Sequence, residues 1–179
     1  MLRTKESALV LIDVQEKLAR TMDGREELVR NLERLIRGLL VLDVPILWME
    51  QNPRGLGPTV SALRQHLGEQ TPMTKLSFSC FGSEEFERQF LSLDRRQILL
   101  AGIEAHVCVY QTARDLLARG YEVHVIADGV SSRAAENRRI ALGRMQADGA
   151  HLASTEMVLF ELLQRAEGPA FKEILEIVK

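Results

Sequence analysis

Short apolar runs alternate along the chain with longer segments of helical periodicity. The runs 8–12 and 96–103 are apolar on both faces, as a parallel strand covered by helices must be. Segment 25–42 instead repeats leucine and isoleucine at helical spacing, which is typical of an amphipathic helix. The same patterns predict strands at 8–12, 45–49, 73–78, 96–103, 121–127 and 151–153, and helices at 25–42, 59–67, 107–119, 134–149, 156–165 and 170–178, with a further helix from Ser83.

Turn-forming and capping residues divide these segments. Residues 51–58 contain two prolines and two glycines, which predicts a loop. Ser83 and Thr155 stand where helices begin and are candidate N-caps, because their hydroxyls can accept from free backbone N–H groups. Gly120 is expected to end the helix 107–119.

The order of elements predicts the fold class. Strands that alternate with helices indicate a three-layer α/β domain with a parallel sheet of about six strands, and neither repeats nor linker-like stretches divide the 179 residues. We expect a single domain, 1–179. In such sheets, sites form beyond the carboxyl ends of the strands, where the strand order reverses.

Composition excludes several classes of function. Hydrophobic residues make up 46% and charged residues 27%, an ordinary balance for a soluble domain. A net charge of −2 and 5% aromatics argue against a nucleic-acid or membrane partner. The first residues lack the apolar core of a signal peptide, and no apolar run would span a bilayer. We therefore expect a cytoplasmic protein with free thiols at Cys80 and Cys108.

Three reactive side chains are predicted at strand ends. Asp13 ends the first strand, Lys75 lies in the short third strand, and Cys108 begins a helix after strand 96–103. A thiol at a helix N-terminus is favoured as thiolate by the helix dipole, and free N–H groups there can hold an oxyanion. Taken singly, Asp13 is better explained as an N-cap or turn residue and Lys75 as a solvated cation. For Cys108, a small core side chain and a reactive thiol are equally good explanations.

Longer motifs contain these residues. Leu11–Gln15 reads LIDVQ, Lys75 stands in a KxxFSxF context, and 102–109 reads GIEAHVCV, followed by QTA at 111–113 and GYEVHVIADGVSSR at 120–133. Together they resemble the isochorismatase-like cysteine hydrolases over nearly the whole chain. The resemblance implies a doubly wound sheet of order 3-2-1-4-5-6, with the strands of Asp13 and Cys108 side by side at the switch point.

The resemblance also implies roles for individual residues. Asp13 would be the general base, Lys75 would hold Asp13 and support the thiolate, and Cys108 would attack a carbonyl to form a thioester. The N–H groups of Glu104 and Cys108 would form the oxyanion hole, with a cis peptide bond between Ile103 and Glu104.

The substrate pocket is less defined by these motifs. Gln51 follows the second strand and has a side chain that can bond a polar group, while Phe78 and His106 are further candidates to face the substrate. Core packing is the favoured explanation for at least one of the two phenylalanines in this region, Phe78 and Phe81. Ala105 and His106 occupy positions where the family often has Thr and Asp, which changes the pocket floor without removing backbone donors.

Departures from the family narrow the expected activity. Nicotinamidases of this family bind a metal through histidines after the second strand, but 50–57 contains none, and the four histidines of the chain show no ligand spacing. Isochorismatases that cleave a vinyl ether lack the cysteine nucleophile. We expect a metal-independent hydrolase, without cofactor, that cleaves a small amide, imide or ester.

Two other functions fit parts of the sequence pattern. A non-catalytic binding or scaffold member of the same fold is compatible with an intact triad. A dinucleotide-binding protein fits the sheet, but no glycine fingerprint follows the first strand. The family resemblance also implies a homo-oligomer. The apolar faces of 170–178 and of the helix after Arg133 would either pack on a second copy or cover the sheet.

Overall fold

The computed structural model describes residues 1–68 and 70–179, and its centre is a sheet of six parallel strands in the order β3-β2-β1-β4-β5-β6. This confirms the predicted fold class and strand order. The strands are β1 (Ser7–Ile12), β2 (Ile46–Gln51), β3 (Met73–Lys75), β4 (Gln97–Ile103), β5 (Glu122–Ser131) and β6 (His151–Ala153).

Helices cover both faces of this sheet. They are α1 (Glu16–Ala19), α2 (Arg25–Val41), α3 (Pro53–Leu56), α4 (Ser61–Arg64), α5 (Glu84–Ser92), α6 (Tyr110–Ala118), α7 (Ala135–Ala147), α8 (Thr155–Leu163) and α9 (Gly168–Val178). One core lies between the sheet and α2, α8 and α9, and the second between the sheet and α5, α6 and α7. Side chains of β1 alternate between the two cores, as its doubly apolar pattern predicts.

Helix α9 packs against the first core through Ile174 and Ile177, which are 0% and 7% exposed. The sequence predicted that this apolar face would either pack on a second copy or cover the sheet, and in the structure it packs on the core that covers the sheet. In α7, the buried Ala141 and Met145 likewise face the second core. Within residues 1–68 and 70–179, no helix combines the length and the apolar character that crossing a bilayer would require.

Several predicted bounds and caps differ from the structure. Strand β5 continues past the predicted end at 127 to Ser131, because a shift of register against β4 lets the polar segment resume pairing. The predicted loop 51–58 contains one helical turn, α3. Ser83 caps α5 by accepting from the Phe86 N–H, as predicted.

The predicted cap at Thr155 is wrong. The N-cap of α8 is Ser154, whose hydroxyl accepts from the Met157 N–H at 3.2 Å. Thr155 is the first helical residue, and both its N–H and its hydroxyl donate to the Asp128 carboxylate, at 2.8 and 3.0 Å. The local sequence pattern allows a cap at either Ser154 or Thr155. Because Asp128 binds the hydroxyl of Thr155, the hydroxyl of Ser154 is the one that caps the helix.

Candidate active site

An ion pair joins the ends of β1 and β3. Lys75 Nζ donates to Asp13 Oδ2 at 2.6 Å, and both side chains are 0% exposed. Strand β2 separates the two strands in the sheet, and parallel strands bring all their carboxyl ends to one edge. Asp13 has a φ of 54°, in the left-handed region, where aspartate is better tolerated than most residues.

Lys75 has further acceptors that fix its position. Its Nζ donates to Gln51 Oε1 at 2.7 Å and lies 3.1 and 3.3 Å from the carbonyl oxygens of Phe78 and Ser77. A buried ammonium is tolerated only when its protons are satisfied in this way. The cation is therefore held beside Asp13 and has no free direction toward a second anion.

Cys108 lies in a wide helical turn, Ala105–Val109, that precedes α6. The residue is 6% exposed. Burial raises the pKa of its thiol to about 12, the Asp13 charge adds to the rise, and Lys75 opposes it. The expectation of a thiolate favoured by the helix dipole is therefore wrong for this site. The regular helix begins only at Tyr110, and desolvation beside a carboxylate dominates.

The Asp13 carboxyl faces this thiol. Burial raises its pKa above the ordinary value, whereas the Lys75 ammonium and the contact with Cys108 act in the opposite direction. Oδ2 is engaged by Lys75, and Oδ1 is buried with no hydrogen-bond partner of standard geometry among the described residues. Oδ1 is therefore the oxygen that is available to receive a proton. The neighbouring proton donor is the Cys108 thiol, whose contact affects the pKa of the Asp13 carboxyl.

Gly102 brings the strands of Asp13 and Cys108 together. Its φ is +121°, and a Cβ atom there would lie 2.0 Å from the carbonyl oxygen of Ile12 and 2.7 Å from the nitrogen of the same residue. Only glycine allows this close approach of β4 to β1. Asp13 follows Ile12 directly and Cys108 lies in the turn after β4, so this close approach brings together the two strands that lead into the reactive groups.

The chain turns sharply between β4 and Cys108. The peptide bond between Ile103 and Glu104 is cis. The Glu104 carbonyl oxygen accepts from the N–H groups of Val107 and Val109, at 3.1 and 3.2 Å, which closes the turn. The buried Glu104 carboxylate accepts from the backbone N–H and the Nε of Arg133, at 3.0 and 3.1 Å. These contacts fix the backbone from Glu104 to Val109, the segment that includes the N–H groups of Glu104 and Cys108.

The three predicted pocket residues have different surroundings. Gln51 directs its oxygen to Lys75 and its nitrogen to the Leu76 carbonyl at 2.8 Å. Phe78 is 54% exposed. His106 is half-buried, with Nδ1 2.9 Å from the Ser132 hydroxyl. All three border the ends of β2, β3 and β4, and their contact with a substrate stays a prediction.

A cavity of about 700 Å³ opens beside β3. It lies between α3 and the segment after β3, and none of the three predicted pocket residues lines it. Its lining residues are Asn52, Pro53, Arg54, Thr74, Lys75, Leu76, Ser77, Gly82 and Ser83.

Comparisons with known proteins place this chain in a family. The model of the isochorismatase domain matches residues 7–157. The chain belongs to the isochorismatase family. Isochorismatase domain-containing protein 2 of Danio rerio is 43% identical over 180 residues, covering 99% of this chain and 89% of that protein. The family is generally hydrolytic and includes cysteine hydrolases.

Solved structures with the same fold have varied descriptions. The MAR1 ribonuclease of Caenorhabditis elegans has a TM-score of 0.92 and 38% identity, covering 99% of this chain and 91% of its own. YcaC of Escherichia coli, described as an octameric hydrolase of unknown specificity, has a TM-score of 0.93 and 20% identity, covering 98% and 88%. The latter likeness shows the fold alone.

Gln15 ends the LIDVQ motif of this isochorismatase-family chain, and the sequence alone predicts no role for it. Its amide oxygen accepts from the Gln51 N–H at 2.8 Å, and its nitrogen donates to the carbonyls of Gln51 and Gly57, at 3.0 and 2.7 Å. This side chain ties the loop after Asp13 to the end of β2. The signal was the LIDVQ motif itself, in which Gln15 is 0% exposed.

In the part of the chain that the structure describes, the candidate metal ligands do not lie after β2, where the nicotinamidases of the isochorismatase family have histidines. At the end of β2, Glu50 is buried, and its Oε1 accepts from both the N–H and the hydroxyl of Thr59, at 2.7 and 2.8 Å. Among the described residues, side chains near enough to share a metal occur once, as Glu122, His124 and His151 on β5 and β6. The sequence spacing of the four histidines does not indicate this group, because the register of two strands brings His124 and His151 together.

Proposed function

We propose that the chain is a metal-independent cysteine hydrolase that cleaves a small amide, imide or ester through a thioester on Cys108. The observation that carries this proposal is the arrangement of Asp13. One carboxylate oxygen is paired with buried Lys75, the other makes no hydrogen bond of standard geometry among the described residues, and the carboxyl lies close enough to Cys108 for the thiol to affect its pKa. A general base oriented by one partner and adjacent to a nucleophile is the arrangement that covalent hydrolysis requires.

The first half of the reaction forms the thioester. Asp13 Oδ1 takes the thiol proton as the sulfur attacks the substrate carbonyl carbon, and the N–H groups of Glu104 and Cys108 hold the resulting oxyanion. The carbon–nitrogen or carbon–oxygen bond then breaks, and Asp13 returns the proton to the leaving amine or alcohol. Because the thiol has a pKa of about 12, this proton transfer must accompany attack.

The second half releases the acid product. Water attacks the thioester carbonyl carbon, Asp13 accepts a proton from that water, and the carbon–sulfur bond breaks. The proton on Asp13 returns to the sulfur, which restores the resting thiol. Lys75 keeps Asp13 in place throughout and donates to it without leaving its four acceptors.

The site favours a small substrate. Cys108 is 6% exposed, so a bulky chain would not reach the sulfur in this conformation. The buried cation is saturated by oxygen atoms, which leaves it unsuited to bind a phosphodiester. RNA is therefore not the substrate we propose, although the similar C. elegans protein is described as a ribonuclease.

A screen of small amides, imides and esters tests the proposal, with mass spectrometry to detect an acyl adduct on Cys108. Replacing Asp13→Asn keeps the shape of the side chain and removes the base, and turnover should fall by about 10²–10⁴-fold. Cys108→Ala should remove the adduct, and Cys80→Ala, which removes the other buried thiol, should retain it. Full turnover by both Cys108→Ala and Asp13→Asn would contradict the assignment, and RNA cleavage that needs Cys108 would replace the substrate class.

A non-catalytic binding protein of the same fold is the second candidate. The observation that favours it is the low exposure of Cys108 together with its raised pKa. It predicts that Cys108 reacts with iodoacetamide no faster than an ordinary thiol. A Cys108 reaction that is faster in wild type than in Asp13→Asn would exclude this candidate.

We also propose a homo-oligomer with a cytoplasmic location. The support is a pair of exposed apolar side chains beside the site, Leu76 and Phe78, which are 80% and 54% exposed. The E. coli protein with this fold is described as octameric. Size-exclusion chromatography with light scattering should give a mass above that of one chain, 20.2 kDa, and Leu76→Ser should lower it.

A further inference from the structure

Two histidines and a glutamate meet at the end of the sheet opposite the candidate active site. Glu122 is the first residue of β5, His124 follows on the same face, and His151 is the first residue of β6. The parallel register pairs His124 directly with His151, and the centroids of their rings lie 4.9 Å apart. One potential ligand atom from each of the three residues lies within 4.8 Å of the other two.

We infer that Glu122, His124 and His151 form a binding site for a divalent cation of the Zn²⁺ class. Imidazole nitrogen and carboxylate oxygen are ligands that Zn²⁺ accepts at about 2.0–2.2 Å, with further positions available to water. Purely oxygen-binding cations such as Mg²⁺ fit this ligand set less well. In this structure, His124 Nε2 lies within hydrogen-bond distance of Glu122 Oε1, at 2.8 Å, so these two potential ligand atoms are already close together.

The carboxylate is oriented from behind. Glu122 Oε2 accepts from Gln97 Nε2 at 3.1 Å, which leaves Oε1 directed toward His124. Gln97 is buried, and its oxygen accepts from the Arg3 N–H at 2.8 Å. Outer partners of this kind fix the ligands of metal sites and contribute to affinity.

Burial of the three side chains suits a site that is closed on one side and open on the other. The side chain of His124 is 9% exposed, that of Glu122 is 38% exposed, and His151 is exposed at the edge strand. An ion can therefore enter from solvent while two strands hold its ligands. Because β6 is an edge strand of three residues, such an ion would fasten it to β5.

Titration of the metal-free full-length chain with Zn²⁺ tests the inference, by calorimetry and by thermal unfolding. Wild type should bind one ion and unfold at a higher temperature in its presence, because a ligand of the folded state stabilises it. His151→Gln should weaken binding by at least the ~10–100-fold expected for loss of an outer partner, and should abolish the thermal shift. His151 is exposed, so this variant should fold.

A matched control and a thiol control make the result specific. His66 lies 3.0 Å from Glu33 and, among the described residues, belongs to no group of three potential metal ligands. His66→Gln should therefore bind Zn²⁺ as wild type does. Cys108→Ser should also bind normally, which separates this site from the proposed nucleophile. No Zn²⁺ binding by wild type, or equal affinity in His151→Gln, would overturn the inference and leave the proposed hydrolase untouched. Loss of binding in Cys108→Ser would place the ion at the proposed nucleophile, and would overturn both the inference and the metal independence of the proposed hydrolase.

Discussion

The carboxyl ends of the strands and the outer face of α7 contain the same two features, a glycine and an ion pair with an N–O distance of 2.6 Å. At the strand ends these are Gly102 and the pair Lys75–Asp13, whose side chains are 0% exposed. On α7 they are Gly143 and the pair Arg139–Glu136, whose side chains are 72% and 62% exposed. Burial, not the contact itself, decides what each feature contributes.

Gly102→Ala should have the largest effect. The added Cβ would lie 2.0 Å from the Ile12 carbonyl oxygen, and both atoms belong to paired strands in the centre of the sheet. Neither backbone can move away without breaking the ladder, and the φ of +121° is unfavourable for alanine. We expect a loss of more than about 4 kcal/mol in the free energy of unfolding, or no folded protein.

Urea unfolding followed by fluorescence of the single, buried Trp48 measures this loss. A folded Gly102→Ala variant with a midpoint near that of wild type would show that the strands can separate. The role given to this glycine in spacing Asp13 and Cys108 would then be wrong.

Lys75→Met should have the next largest effect. It leaves the Asp13 carboxylate buried without a cation, and breaking a buried pair in this way costs about 3–5 kcal/mol. Burial already raises the pKa of Asp13, and loss of Lys75 removes the main opposing contribution. The loss should be largest at neutral pH and should shrink as the pH falls and the carboxyl becomes protonated, because the neutral form is cheaper to bury.

Arg139→Met is the matched control for this substitution, since exposed pairs are weak even at the same distance. It should leave the urea midpoint unchanged. The double variant Asp13→Asn with Lys75→Met should regain part of the stability that Lys75→Met loses. Equal losses in Lys75→Met and Arg139→Met would contradict the conclusion that burial separates the two pairs.

Features that depend on local sequence pattern could be predicted, whereas features that depend on burial by distant residues could not. The apolar runs were sufficient to predict a parallel α/β sheet with Asp13 and Cys108 at strand ends, because both depend on local pattern. The strand order 3-2-1-4-5-6 came instead from the family resemblance of the motifs. The protonated state of Cys108 depends on desolvation by residues distant in the chain. The pairing of His124 with His151 depends on strand register, which periodicity does not define.

A third expected effect concerns the buried thiols beside the ion pair. Burial raises the pKa of Cys80 to about 12 from an ordinary value of 9.0, and the pKa of Cys108 rises likewise. Between these values the unfolded chain releases protons that the folded chain retains, so stability falls as the pH rises. Each thiol contributes about 1.4 kcal/mol per pH unit to that slope.

Cys80→Ser removes one of the two titrating groups, so its stability should fall less steeply than that of wild type above pH 9.0. The slope, rather than the stability itself, is the measurement, because serine in a buried site carries its own constant cost. Replacing both cysteines should flatten the slope further. Parallel slopes for wild type and Cys80→Ser would mean that water reaches Cys80 as the pH rises.

The smallest effect is expected on α7 and has the opposite sign. Gly143 lies within a helix, and among the described residues a Cβ there would meet no atom within 4 Å other than the backbone of its own helix. Alanine should therefore raise the free energy of unfolding by about 0.5–1 kcal/mol, because it restricts the unfolded chain and costs nothing in the folded one. The substitution is the same as at Gly102, so composition and helix or strand propensity alone cannot account for a gain at one glycine and a collapse at the other. A loss of stability in Gly143→Ala would mean that a side chain at this position disturbs a contact on the outer face of α7.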